Sequence, residues 1–170
     1  MLSSDDLELK ALMKSNPNND LTLKEAKLKI ARFCAYQERT QQEVRDKLYS
    51  YGLHSEDVES LIADLISENF INEVRFAKTY AAGKFRIKKW GRLKILQGLE
   101  QRKLSTFCIK KAMNEIDNQD YQATLQDLLT KRWASQRETD LFIKKHKVAK
   151  YLIGRGYEPE LVWEQISQLE

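Results

Sequence analysis

The chain has 170 residues, which is enough to bury an apolar core but short for a large multidomain enzyme. Hydrophobic residues make up 42% and charged residues 32%, and only six glycines and two prolines are present, so the composition favours helices joined by short loops. No apolar run is long enough to span a membrane, and the N-terminal MLSSDDLELK is acidic where a secretory signal is basic. We therefore expect a cytoplasmic, all-α protein with a formal net charge of +4.

Residues 1–22 have the pattern of a short N-terminal extension. A helix is predicted around Asp5–Lys14, followed by a polar loop that ends near Asp20. From Thr22 onward, helical patterns follow one another, and no segment keeps the two-residue alternation of a strand. The first of these helices is predicted at about 24–37.

Two further helices complete a small bundle. Thr40 and Glu43 have the spacing of a capping box, and Gly52 stands where a left-handed residue closes a helix, which predicts a helix over 40–51. The next helix is predicted over 55–68 with Ser55 as its N-cap. Its buried stripe is predicted to consist of Val58, Leu61, Ile62, Leu65 and Ile66.

The pattern of this bundle returns twice, which indicates internal duplication. Five apolar positions recur, at shifts of 51 (99 − 48) and 53 (152 − 99) residues. They are Val44, Leu48, Leu53, Val58 and Ile62 in the first repeat, Ile95, Leu99, Leu104, Ile109 and Met113 in the second, and Val148, Leu152, Tyr157, Val162 and Ile166 in the third. We expect three tandem three-helix repeats, at 23–69, 70–117 and 118–170, stacked into an elongated, curved body behind the extension at 1–22.

Each repeat has a helix break at the same place. The break contains Gly52 in the first repeat and Gly156 in the third, but Lys103 in the second. Lys103 must either take the left-handed conformation at a cost of about 1 kcal/mol or end its helix in another way. Pro159 fits the first turn of the last helix, where its missing N–H costs nothing.

The positive charges are concentrated in two segments. No Asp or Glu lies between Glu73 and Glu100, and this stretch contains eight cations. The second helix of the second repeat, predicted at about 88–101, is basic, and so is the second helix of the third repeat. Such a band is either a solvated face or a binding surface for phosphate or an acidic protein, and the missing carboxylates favour binding. The candidate residues are Lys84, Arg86, Lys88, Lys89, Arg92, Lys94, Lys144, Lys145, Lys147 and Lys150.

The second and third helices of each repeat resemble a helix-turn-helix motif, which would place the third helix in the DNA major groove. That helix carries five carboxylates in the first repeat, and phosphate would repel it, so we do not expect sequence-specific recognition. Weak, non-specific contact between the basic helices and single- or double-stranded DNA stays open. Phe85, Trp90 and Trp133 could stack on bases, although rings at helical spacing more often belong to the core.

The sequence offers no candidate for a catalytic, cofactor or metal site. It contains no glycine-rich phosphate loop, and neither His54 nor His146 has a partner at metal-ligand spacing. Cys34 and Cys108 lie far apart in apolar helical stretches, so we expect buried thiols and not a disulfide. We do not expect an enzyme, although a site assembled from distant residues stays open.

Several short segments, taken in order, resemble the RecX family. The first is the segment from Ala31 to Gly52, with Thr40, Glu43-Val44 and Lys47-Leu48, and the next is Asn69-Phe70-Ile71-Asn72-Glu73-Val74-Arg75-Phe76-Ala77. Lys89-Trp90-Gly91 and the closing Tyr151-Leu152-Ile153-Gly154-Arg155-Gly156-Tyr157 follow, and the likeness covers about residues 24–169. The chain departs from the family pattern at Asn69, Glu73 and Lys103, which bears on loop geometry.

The resemblance implies a bacterial protein that binds within the groove of the RecA filament and inhibits its ATP hydrolysis and strand exchange, limiting recombination, DNA repair and the SOS response. We expect the basic segments to face the filament and the protein to be a monomer. The alternative is a helical nucleic-acid-binding protein that acts on DNA directly.

Overall fold

The computed structural model describes residues 21–169, and all of the regular structure in this range is helical. The predicted N-terminal helix at Asp5–Lys14 lies outside the described residues. The described helices are α1 (Leu23–Tyr36), α2 (Gln41–Tyr49), α3 (Ser55–Ser67), α4 (Glu73–Arg86), α5 (Arg92–Glu100), α6 (Thr106–Met113), α7 (Asn118–Ser135), α8 (Leu141–Gly154) and α9 (Pro159–Ser167). Within 21–169, no helix has the length and apolar character needed to cross a bilayer.

These helices belong to two compact units, one that ends at Phe76 and one that begins at Ala77. In the first unit, α1, α2 and α3 each pack against the other two. In the second unit, α5 packs against α6, and α7, α8 and α9 form another mutually packed set of three. The all-helical prediction is confirmed, and the division between the units falls inside α4.

Capping residues fix the starts of the first helices. The Thr40 side chain accepts a hydrogen bond from the Glu43 N–H at 3.1 Å, and the Thr40 N–H donates to the Glu43 carboxylate at 2.9 Å, which confirms the predicted capping box. Thr22 and Glu25 form the same box before α1. These reciprocal bonds satisfy two donors that a helix start leaves without partners.

The start of α3 corrects the prediction that Ser55 is an N-cap. Ser55 is the first helical residue, and His54 is the N-cap, with extended backbone angles and no capping hydrogen bond from its side chain. The His54 carbonyl already accepts the Val58 N–H at 3.0 Å, so the helix begins one residue earlier than the hydroxyl pattern indicates.

A core of aliphatic side chains fills the first unit. Ile30, Val44, Leu48, Val58 and Leu65 are fully buried, and Cys34 is a buried free thiol whose pKa burial raises to about 11. Cys108 is also buried and free, so both cysteine predictions are confirmed.

Ile66 does not belong to the buried stripe of α3 as predicted, because it lies at the edge of the apolar face and is 43% exposed. The other four members of the predicted stripe are buried. The buried stripe of a surface helix contains three to four residues per two turns, so the fifth predicted position, Ile66, faces outward.

Most of the repeated apolar positions are buried, but Leu53 of the first repeat is half-buried, and the middle repeat is shifted. Ile95, Leu99, Val148, Leu152, Tyr157, Val162 and Ile166 are all buried. In α6, however, Cys108 and Ala112 are buried, whereas Ile109 and Met113 are half-buried. The short α6 therefore turns its inner face by one residue from the predicted register.

The three helix breaks use the same backbone conformation. Gly52, Lys103 and Gly156 have φ angles of 83°, 55° and 93°, all in the left-handed region. Lys103 thus adopts the left-handed conformation, the first of the two alternatives, and accepts the cost that glycine avoids. Pro159 occupies the first turn of α9 as predicted.

Arg75 in the first turn of α4 ties together the end of the first unit. Asn69 takes a left-handed φ of 60°, and Asn72 caps α4 by accepting the Arg75 N–H at 2.9 Å. The Arg75 guanidinium donates to the Asn69 carbonyl at 3.0 Å and to the Glu38 carboxylate at 2.5 Å. Asparagine tolerates this conformation, so its presence where the family pattern has glycine leaves the loop intact.

Thr40→Ala should lower the free energy of unfolding by about 1 kcal/mol, because it removes the side chain that caps α2. Ser55→Ala is the matched control, since the hydroxyl at this position does not cap α3. It should change stability by less than about 0.5 kcal/mol. Urea unfolding followed by circular dichroism measures both values, and equal losses would contradict the assignment of the caps.

Candidate partner-binding surface

The ten predicted cations all lie in the second unit. Lys84 and Arg86 are in the last turn of α4, and Arg92 and Lys94 are in the first turn of α5. The four lysines on α8 are Lys144, Lys145, Lys147 and Lys150. Lys88 and Lys89 correct the prediction of a helix from about residue 88, because α5 begins at Arg92 and both lysines lie in the α4–α5 loop. Lys89 has a left-handed φ of 54°, which ends the helical path there.

The α4–α5 loop is fixed by the break between α8 and α9. The Gly91 N–H donates to the Arg155 carbonyl at 2.8 Å, and the Leu93 N–H donates to the Gly156 carbonyl at 2.9 Å. In return, the Arg155 guanidinium donates to the carbonyl of Lys88 and to that of Lys89. Backbone therefore contacts backbone directly at this junction.

Glycine is required at this contact for a steric reason. A Cβ atom on Gly91 would lie 2.2 Å from both the carbonyl carbon and the oxygen of Gly156. A Cβ on Gly156 would in turn lie 2.3 Å from the Lys94 Cβ. Two glycines thus allow the approach that the hydrogen bonds need. We name this contact the loop–turn junction.

Arg92 is engaged inside the second unit. Its N–H donates to the Tyr121 hydroxyl at 3.0 Å, and its guanidinium carbon lies 3.9 Å from the Tyr121 ring centroid. The Tyr121 hydroxyl donates to the Glu158 carboxylate at 2.6 Å, and the Arg92 Nη1 lies 3.8 Å from the other Glu158 oxygen. Burial and the hydrogen bond to Glu158 raise the pKa of Tyr121 far above its ordinary value, so the phenol stays protonated and keeps donating.

Two of the remaining cations of the loop region contact Trp90. The Nζ atoms of Lys84 and Lys94 each lie 4.8 Å from the centroid of the Trp90 ring. Arg86, Lys88 and Lys89 are exposed. The junction holds the Lys88 and Lys89 backbone, so their side chains extend from a fixed loop without carboxylates in the intervening sequence. The arrangement can bind an anionic surface.

The α8 lysines form a second group, which we name the α8 patch. Lys144 lies 4.5 Å from the Trp133 ring centroid, and Lys147 forms a 2.6 Å ion pair with Glu138. Lys147 and Lys150 line a surface cavity together with Arg132, Gln136 and Tyr151. Arg132 was not among the predicted residues, because it lies on α7, 15 positions (147 − 132) before Lys147, and only the packing of α7 on α8 brings them together.

The three rings considered for base stacking have different roles. Phe85 is 6% exposed and packs 5.8 Å from the Tyr121 ring, so it belongs to the core. Trp90 and Trp133 are half-buried beneath lysine side chains. His54 and His146 are both exposed, and the His146 ring packs against Phe142 and Trp163.

Successive three-helix domains with short breaks define the class of the protein, a helical protein built from tandem domains. The models of the first, second and third three-helix domains of RecX match residues 26–65, 72–113 and 119–166. The chain is 30% identical over 139 residues to the regulatory protein RecX of Escherichia coli O7:K1, covering 76% of this chain and 82% of that protein. This chain belongs to the RecX family of regulatory proteins.

Other relatives and solved structures agree. The RecX proteins of Clostridium acetobutylicum and Clostridium tetani are 28% and 29% identical over 148 and 133 residues, which cover 85% and 77% of this chain. The matches span only 66% and 59% of those two proteins. A crystal structure of RecX from Lactobacillus salivarius shares the fold with a TM-score of 0.78 at 20% identity, covering 86% of this chain and 96% of its own. A second RecX crystal structure has a TM-score of 0.76 at 20% identity, covering 99% and 80%.

Gly91→Ala should lower the free energy of unfolding by about 1–3 kcal/mol, because its methyl group would overlap the Gly156 backbone, which has little room to move. Gly154→Ala is the matched control: a Cβ there meets nothing within 4 Å, and alanine at a helical position should leave stability unchanged or raise it by up to about 1 kcal/mol. Thermal and urea unfolding of both variants decide the matter. A tolerated alanine at position 91 would show that the close approach is dispensable.

Proposed function

We propose that the protein is a cytoplasmic, non-enzymatic regulator that binds the RecA recombinase filament and inhibits its ATP hydrolysis and strand exchange. It would thereby limit recombination, DNA repair and the SOS response. The observation that carries the proposal is the succession of all three RecX domains along the chain, in order. The match to the regulatory protein RecX of Escherichia coli O7:K1 covers 82% of that protein's length.

The cations of the second unit supply the surface through which such binding would act. Arg86 is exposed at the end of α4, and the α4–α5 loop presents Lys88 and Lys89 from a backbone that the loop–turn junction holds. A fixed loop loses little conformational entropy when its side chains bind. A filament that carries DNA offers both phosphate and acidic side chains to these cations. The α8 patch is a second candidate for the same contact.

DNA-dependent ATP hydrolysis by the cognate RecA, titrated with this protein at two salt concentrations, tests the proposal. Inhibition should be present at low salt and weaker at high salt, because exposed cations contribute less as ionic strength rises. Absence of inhibition at both salt concentrations would refute the proposed function. Inhibition of equal strength at both salt concentrations would support RecA as the partner but show that these cations do not contribute to binding it.

Reversing the three exposed charges at the end of α4 and in the α4–α5 loop together, as Arg86→Glu, Lys88→Glu and Lys89→Glu, should raise the concentration for half-inhibition about tenfold or more, equivalent to ~1.4 kcal/mol. Arg92 is left unchanged because it contacts Tyr121 and Glu158 inside the unit. The control is the exposed set Lys24→Glu, Lys110→Glu and Lys111→Glu, which makes the same change in net charge elsewhere. Equal losses in both variants would mean that only net charge matters.

Direct action on DNA is the competing outcome. It predicts that the ATPase is affected only when DNA is limiting. Saturating DNA therefore separates the two functions, since a filament modulator still inhibits under that condition.

A further inference from the structure

The first unit carries a row of cations and aromatic rings that the charge pattern of the sequence did not indicate. The Arg39 guanidinium carbon lies 4.0 Å from the Phe33 ring centroid. The Lys47 Nζ lies 5.9 Å from that centroid and 5.5 Å from the centroid of Tyr51, and the Lys29 Nζ lies 5.8 Å from Tyr51. Cations and rings therefore alternate, in the order Arg39, Phe33, Lys47, Tyr51 and Lys29. We name this surface the cation–ring row.

The carboxylates next to the row in sequence are committed to other contacts. Glu25 and Glu43 close the capping boxes of α1 and α2, and Glu38 pairs with Arg75. The hydrogen bonds from Thr22 lower the pKa of Glu25, so this carboxylate stays ionised in its cap. Because the ionised Glu25 also interacts with Lys29, that lysine is partly compensated within the unit, and the charge left for an outside ligand is chiefly that of Arg39 and Lys47.

Two other cations of the same helices are neutralised by α3. Lys27 on α1 pairs with Asp64 and Glu68 at 3.1 and 2.7 Å, and Arg45 on α2 pairs with Glu59 at 2.6 Å. Residues two positions apart on a helix are turned from one another by about 200°. Lys27 and Arg45 thus face the acidic α3, whereas Lys29 and Lys47 lie on the opposite sides of α1 and α2. The row is therefore turned away from the carboxylates of α3, which pair with Lys27 and Arg45.

Arg39 is prepared for an anionic ligand. The residue is half-buried with its guanidinium against the Phe33 ring, and its Nε atom is buried without a hydrogen-bond partner. A half-buried cation with an unmet donor carries a desolvation cost. An anion at its terminal nitrogens offsets part of that cost, and the planar guanidinium suits a phosphate, which it can bind through two N–H groups.

We infer that the cation–ring row binds single-stranded nucleic acid, with its phosphates on Arg39, Lys47 and Lys29 and its bases against the exposed parts of Phe33 and Tyr51. A positive track with interleaved aromatic rings is the arrangement that binds single strands without sequence preference. An acidic peptide would use the cations but gain nothing from the rings, and a duplex keeps its bases stacked inside. This inference goes beyond the proposed function, because the row lies in the first unit and binding needs no filament.

Fluorescence anisotropy of a labelled oligothymidylate, titrated with the full chain in the absence of RecA, tests the inference. The double variant Arg39→Gln with Lys47→Gln should weaken binding about tenfold or more. It should also flatten the dependence of log K on log salt by roughly 1 to 1.5, since each single-strand phosphate contact contributes about 0.7. The matched control is Lys27→Gln with Arg45→Gln, which removes one lysine and one arginine that α3 already pairs.

The rings are tested separately. Tyr51→Leu keeps an apolar group of similar size beneath Lys29 and Lys47, and it should weaken oligothymidylate binding about fivefold or more while leaving binding of an abasic oligonucleotide unchanged. Helical circular dichroism and the thermal midpoint of each variant show that the unit is folded.

Three results would overturn the inference. They are equal weakening by the control and test double variants, a loss for Tyr51→Leu that is the same with the abasic strand, and displacement of the oligothymidylate by polyglutamate as readily as by unlabelled strand. Because the assay contains no RecA, none of these results depends on the ATPase titration. Failure of the proposed function and failure of this inference are therefore separate findings.

Discussion

The arrangement of the second unit depends on how the first turn of α5 is satisfied. Its N-cap is Gly91, which has no side chain to accept a hydrogen bond, so the first N–H groups of the helix need acceptors from elsewhere. The Tyr121 hydroxyl accepts from Arg92, and the Gly156 carbonyl accepts from Leu93. The third three-helix domain thus supplies the hydrogen-bond acceptors for the start of α5 in the second domain.

This cap also determines how the loop lysines are presented. Arg155 donates to the carbonyls of Lys88 and Lys89, which turns backbone polarity inward and leaves the ammonium groups outside. A charged side chain on a fixed backbone loses less conformational entropy on binding a partner than one on a mobile loop. The same contact that joins the two domains therefore defines the position of the cations that we propose as the binding surface.

The sequence predicted the helices, the capping box at Thr40 and the left-handed breaks, because these depend on residues a few positions apart. It misplaced the start of α5, since the stretch of basic residues from Lys88 looks continuous and only the docked loop shows where the helix begins. It missed the partnership of Arg132 with the α8 patch and the whole cation–ring row, because their members lie on different helices. Charge runs along a chain are visible in a sequence, whereas charges gathered by packing are not.

The loop–turn junction also bears on the order in which the chain is made. Arg92 and Leu93 at the start of α5 are 29 (121 − 92) and 63 (156 − 93) residues from their acceptors Tyr121 and Gly156, so both acceptors leave the ribosome after α5 itself. Until then, that helix end has only water for its N–H groups, while the first unit already has every residue of its α1–α3 core. Domains fold in the order of synthesis when their contacts are local. The first domain can thus fold from its own residues, whereas the second reaches its full set of hydrogen bonds only after the third has been made.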